Sequence, residues 1–167
     1  MSRSLDDLHP VVKEKALLLK AAASNLGINI VFTQTSRTEA EQIALYAHGR
    51  KPLDKVNELR LKAGMPTIIA KENTWRTNAK SIKNSYHGYG LAFDIAVVSP
   101  DGKIITWDIK KTDWNKDDLS DWIQVGKLAK NIGLEWGGLW SSSPDIPHYQ
   151  YTFNLTIKDL IDGKKPA

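Results

Sequence analysis

The sequence predicts an α+β domain, a small antiparallel sheet flanked by helices. Three observations lead there. Stretches of helical period and stretches of period two both occur. They do not alternate regularly as strand, helix, strand, so a doubly wound parallel sheet is not expected. Two strand-like runs are joined by the tight turn "SPDG" at 99–102, as antiparallel neighbours are. No internal repeat or low-complexity linker divides the 167 residues, which suffice for one domain with a real core.

Each element has its own signal. Residues 5–24 read as a helix, with Val12, Ala16, Leu19 and Ala23 at three- and four-residue spacings and Gly27 placed to stop it. "INIVFTQT" (28–35) reads as a strand rich in branched residues. Ser36 and Glu39 stand at capping-box spacing and open a short helix through about Ala47. Residues 50–85 are less legible: a short helix within "KPLDKVNELRLKAGMP", then a loop in "NTWRTNAKSIKNS". A strand over 91–98 turns at "SPDG" into a second, "KIITWDI". "DDLSDWIQVGKLAKNIG" reads as a helix whose buried stripe is Leu119, Ile123 or Trp122, Val125 and Leu128, ended by Gly133. "LEWGG" is a short strand, "SSSPDIP" a turn, "HYQYTF" a last strand, and "TIKDLIDGKKPA" adds a helical turn.

Hydrophobic residues make up 41% and charged residues 25%, the proportions of an ordinary globular chain. No apolar run approaches the roughly 18 residues of a membrane span. "MSRSLDDLHPVV" has no basic flank followed by an apolar core, so a secretory signal is not expected. Without cysteine there are no disulfides or thiolate metal sites; any metal falls to His, Asp or Glu. The net charge of +4 favours acidic partners such as nucleic acid, anionic lipid or wall polymers. No dense Lys/Arg run or RNA-binding motif singles out nucleic acid.

One carboxylate is out of place. In the strand 91–98, Leu91, Phe93, Ile95 and Val97 point one way, and Ala92, Asp94, Ala96 and Val98 the other. An ionised side chain taken out of water costs several kcal/mol unless something pairs with it. The alanines beside Asp94 leave room for a site on a rigid strand. His87 lies seven residues earlier across "GYG", whose glycines let the backbone fold back. His148 shares a strand face with Gln150 and Thr152. If that strand packs beside 91–98, two imidazoles and a carboxylate converge, a donor set that suits zinc and leaves a fourth position for water. Hydrolysis also needs a carboxylate that is not a ligand; Asp145 stands three residues before His148, and Glu135 is a second, weaker candidate. Each residue also has an ordinary explanation: a loop histidine, a salt-bridged aspartate, a wet strand edge, a turn aspartate. Spacing makes a metal site plausible and no more. His9 and His48 read as structural.

Together the segments resemble the D-alanyl-D-alanine metallopeptidase superfamily, whose fold is shared with the hedgehog signalling domain. "SYHGYGLAFD" (85–94) matches its Ser-x-His-x-x-Gly-x-Ala-x-Asp signature. With "LHPVVKEKALLLKAAASNLGINI", "TEAEQIALYAHGR", "LEWGGLW" and "DIPHYQ", the likeness covers nearly all of residues 5–153 and is strongest to L-alanyl-D-glutamate endopeptidases of phage and bacterial origin.

The resemblance implies a zinc peptidase domain over 1–153 with a tail at 154–167. It implies His87, Asp94 and His148 as Zn2+ ligands, Asp145 as catalytic base, and Arg37 as the cation at the scissile carbonyl, where negative charge develops. Ser85 and Gln42 are implied near the substrate. The implied partner is bacterial peptidoglycan, cut by a monomer with no nucleic-acid or membrane-inserted partner. With no signal peptide expected, the favoured setting is a phage or prophage endolysin made in the bacterial cytoplasm and released through a holin. A D-alanyl-D-alanine carboxypeptidase or dipeptidase, or a non-catalytic zinc or wall-binding module, are the alternatives. The chain departs from the family at Ser36–Thr38, where Gly-Tyr-Arg-Ser is frequent. It departs again before Ser85, at Leu139 where an acid is common, and at Gln150 where glutamate is common.

Overall fold

A computed structural model describes all 167 residues. Helix α1 (Pro10–Asn25) leads into β1 (Asn29–Gln34), followed by α2 (Glu39–Ala47) and α3 (Leu53–Lys62). Strands β2 (Ala92–Val98) and β3 (Ile105–Thr106) precede α4 (Asp121–Asn131). Strands β4 (Glu135–Trp136) and β5 (His148–Gln150) and helix α5 (Ile157–Ile161) complete the chain. The sheet is antiparallel throughout, in the order β1-β2-β5-β4 with β3 also paired to β2, so the expected α+β architecture is the one observed.

The core lies on one face of β2. Leu91, Phe93, Ile95 and Val97 are buried there against Val12, Ala16, Leu19 and Ala23 of α1 and Trp122, Val125 and Ala129 of α4. Period two in the strand and period 3.6 in the helix thus meet in one apolar layer. Ala92 and Ala96 are buried on the opposite face, beside Asp94. Residues 154–167 include α5, whose Leu160 joins the core cluster.

Several local expectations need correction. The first helix begins at Pro10, not Leu5: His9 is its N-cap through Nδ1, and proline at the first helical position needs no backbone donor. Residues 5–7 form a separate turn capped by Ser4. The box that opens α2 is Thr38 with Glu41 rather than Ser36 with Glu39; Glu41 also receives the N-terminal amine. Strand β3 has two residues and β5 three, shorter than their apolar runs. Beyond β5, Phe153 and Asn154 take left-handed backbone (φ 53° and 58°) and turn the chain out of the sheet.

In α4 the buried stripe is Trp122, Val125, Gly126 and Ala129, rotated from the expected one. Leu119 lies outside the helix and is 57% exposed, and Ile123 is 38% exposed. Trp122 is fully buried, stacks on Trp107 with centroids 5.8 Å apart, and donates from Nε1 to the Thr106 carbonyl at 3.2 Å. Trp122→Ala is therefore expected to cost about 3–5 kcal/mol of unfolding free energy, and Ile123→Ala under about 1 kcal/mol. Urea denaturation of both variants checks the helix orientation, since equal losses would contradict it.

Candidate metal centre

Asp94 sits in the middle of β2, and its Cα partner across the ladder to β5 is His148. This pairing joins residues 54 positions apart (148 minus 94) and puts both side chains on one face. His87 arrives from a 3-10 turn, Tyr86–Tyr89, closed by Gly90 just ahead of the strand. Asp94 Oδ1 lies 3.3 Å from His87 Nε2 and 3.3 Å from His148 Nδ1, and the three ligand atoms all fall within 4.8 Å of one another. His87 and His148 are buried, and the Asp94 side chain is 14% exposed.

Each imidazole is turned by a bond to its other nitrogen. His87 Nδ1 faces the Thr35 carbonyl at 3.4 Å, which leaves Nε2 for the centre. His148 Nε2 donates to Gln150 Oε1 at 2.9 Å, which leaves Nδ1. Gln150 Nε2 donates in turn to Glu135 Oε2 at 2.9 Å, and Glu135 Oε1 accepts from Trp140 Nε1 at 2.6 Å. Outer hydrogen bonds of this kind fix tautomer and ring orientation at metal sites. They also account for glutamine at 150: its amide bridges an imidazole and a carboxylate, whereas a glutamate there would meet Glu135 as a like charge across the ladder.

The donor set fits a divalent cation. His87 Nε2 and Asp94 Oδ1 are buried without a hydrogen-bond partner, and native folds rarely leave such atoms orphaned. Burial would raise the Asp94 pKa, but His87 and His148 together pull it well below the carboxylate range, so it stays ionised. Burial depresses the His87 pKa against the opposing pull of Asp94, which keeps that imidazole neutral, as a ligand must be. Burial also opposes a charge on His148, but the Asp94 carboxylate 3.3 Å away outweighs it and the pKa is raised.

Arg37 enters from the β1–α2 connection. A bulge between Phe32 and Gln34 adds one residue to β1, so that Gln34 rather than residue 33 stands opposite Asp94. Arg37 Nη2 lies 3.5 Å from Asp94 Oδ2, and Nη1 donates to Gln42 Oε1 at 3.1 Å. Gln42, expected near the substrate, is completely buried, is not among the residues lining the cleft, and holds Arg37 through that bond. Its amide is anchored to the Ala79 carbonyl at 2.7 Å.

A cavity of about 610 Å³ opens over these groups, lined by Arg37, Ser85, His87, Asp145 and His148 among others. Asp145 is held by the "WGG" segment. Its N–H donates to the Gly137 carbonyl at 3.0 Å, and Trp136 Nε1 donates to the Ile146 carbonyl at 2.7 Å. A Cβ on Gly137 would sit 2.6 Å from the Asp145 carbonyl oxygen, so only glycine allows this approach. Burial, then the charge of Asp94, raises the Asp145 pKa, against His148 and Arg37. Glu135, the other candidate acid, is tied to Trp140 and Gln150 behind His148 and lies outside the cavity lining. Trp75, Arg76, Trp107 and Trp140 also line the cleft and were not singled out from sequence; tryptophan and arginine in the polar run "NTWRTN" were the available hint.

The profile of a family described as D-alanyl-D-alanine carboxypeptidase matches residues 78–151. The peptidoglycan L-alanyl-D-glutamate endopeptidase CwlK of Bacillus subtilis (strain 168) is 41% identical over 144 residues, 86% of this chain and 73% of that protein. The L-alanyl-D-glutamate peptidase of Listeria phage A118 is 32% identical over 77 residues, 46% of this chain and 24% of the phage protein. In fold, the chain resembles the crystal structure of Serratia marcescens L-Ala D-Glu endopeptidase ChiX. That likeness has a TM-score of 0.51 at 21% identity and covers 91% of this chain and 88% of that one. With a buried His–Asp–His cluster inside the matched segment and identity of this extent across most of both proteins, the chain belongs to the D-alanyl-D-alanine carboxypeptidase family of metallopeptidases.

Proposed function

We propose that this protein is a zinc-dependent peptidoglycan endopeptidase that hydrolyses the L-alanyl-D-glutamate bond of the stem peptide. The observation that carries it is one cleft in which a buried His87–Asp94–His148 cluster faces both Asp145 and Arg37. The named activity of CwlK and of the phage enzyme supplies the bond. His87 Nε2, Asp94 Oδ1 and His148 Nδ1 are the proposed ligand atoms. When bound, the metal supplies Lewis acidity and brings the pKa of a water toward about 7. Asp145 takes the attacking water's proton and returns it to the leaving amine, work for which its place in the cleft beside the cluster suits it. The Arg37 guanidinium is held by Gln42 where it can face the oxyanion. Ser85, in the cleft wall, contacts substrate.

The match to a phage enzyme supports a bacteriolytic role; a monomer that reaches the wall through a holin is part of the same proposal. The description of the family profile favours a second reading, removal of a terminal D-alanine. Digestion of purified muropeptides, followed by mass spectrometry, separates the two. The expected products are an L-alanine-ended fragment and a peptide with a new D-glutamate amine. Chelator should stop the reaction and added zinc restore it. Loss of D-alanine alone would replace the first reading by the second.

A further inference from the structure

Two cationic side chains line the cleft, Arg37 and Arg76. Arg37 is committed to Asp94 and Gln42. Arg76 is exposed, and no hydrogen bond or ion pair within the protein engages it. Its backbone is nevertheless pinned on both sides. Arg50 donates to the Thr77 carbonyl at 2.9 Å and to the Tyr46 carbonyl at 2.7 Å, and its guanidinium lies 4.0 Å from the Tyr46 ring and 5.4 Å from that of Trp75. Gly49 has φ +68°, and a Cβ there would sit 2.7 Å from the Trp75 nitrogen, so Trp75 is seated closely on the end of α2. Thr77 Oγ1 accepts from Ala79 N at 3.2 Å. A long cationic side chain on a fixed base, without a partner of its own, is arranged for a ligand. The charge of Arg76 is felt at His48 and at Arg60, whose surroundings also include the Glu72 carboxylate.

The proposed substrate brings such an anion. A glutamate residue joined to alanine through its amine has two carboxyl groups, and the peptide continues through at most one. The other is ionised at neutral pH and sits beside the scissile bond. Within the cleft that carboxylate meets Asp145, which repels it, and Arg37 is already engaged by Asp94 and Gln42. We propose that Arg76 is a specificity residue that binds the free carboxylate of the residue supplying the leaving amine. This rests on the endopeptidase reading above. A planar fork suits a carboxylate better than an ammonium does.

The test compares two synthetic stem peptides with the L-alanyl-D-glutamate bond, one with the free carboxylate and one with that group as carboxamide. The zinc-loaded wild type should prefer the carboxylate by about tenfold in kcat/KM, chiefly through KM. In Arg76→Gln the preference should collapse to near unity, and Arg76→Lys should keep part of it. Thermal melting equal to wild type confirms an intact fold. A wild type that cleaves both peptides equally, or an Arg76→Gln variant that retains the preference, overturns the assignment while leaving the endopeptidase reading standing. A wild type that cleaves neither peptide overturns both.

Discussion

Asp145→Ala is expected to lower kcat by about 10²–10⁴-fold while the variant still binds zinc. The two readouts separate because Asp145 faces the cleft without being one of the clustered donor atoms. No neighbour can take over the proton. Glu135 has one carboxylate oxygen on Trp140 and the other on Gln150, and Asp94 is turned toward the two imidazoles. The turn that carries Asp145 is fixed through the backbones of Gly137 and Ile146, so losing the carboxylate should not move His148. Activity on muropeptides and metal content by atomic absorption are measured on the same preparation. Loss of zinc together with activity would make Asp145 part of the metal site, and near-normal turnover would require another base.

The parts of this centre differ in how far the sequence disclosed them. Asp94 was legible because a strand's period of two is short and its neighbours are apolar, so one charged side chain stands out. The partnership of Asp94 with His148 depends on β5 lying beside β2, a long-range pairing that no local pattern encodes; the motif resemblance supplied it. The bulge in β1 was invisible for a different reason. One extra residue in "NIVFTQ" leaves composition unchanged but alters which residue stands opposite Asp94. Trp122 and Ile123 are adjacent and both apolar, and only the packing of α4 on α1 and β4 chooses between them. The cleft wall at Trp75 and Arg76 belongs to no periodic element. It is held by Arg50 and Gly49 from the end of α2, through contacts specific to this fold.

Asp94→Ala is expected to remove bound zinc and activity together, and to alter the metal-free protein in a pH-dependent way. The carboxylate is the only anion among the three clustered donors, so without it two imidazoles beside Arg37 face a dication with no compensating charge. Even changes behind a ligand typically cost about 10–100-fold in metal affinity, and removal of the ligand itself should exceed that. In chelator-treated protein the carboxylate instead stabilises a protonated His148. That imidazole's pKa is raised by Asp94, so its share of stability is present below the unfolded value of about 6.5 and is lost as pH rises through the folded pKa. The Asp94 pKa is depressed, so its own share is present above about 3.9 and fades as pH falls through the folded value. Wild type and Asp94→Ala without metal should therefore differ most between about pH 4 and 6.5, and converge as the pH rises further. Breaking a buried pair by removing one partner costs about 3–5 kcal/mol, an upper bound here because His148 can shed its proton. Urea titrations across pH measure the gap. Zinc retained at wild-type level in the variant would show that Asp94 is not a ligand, and a metal-free gap that grows with pH would show that it does not hold the charge of His148.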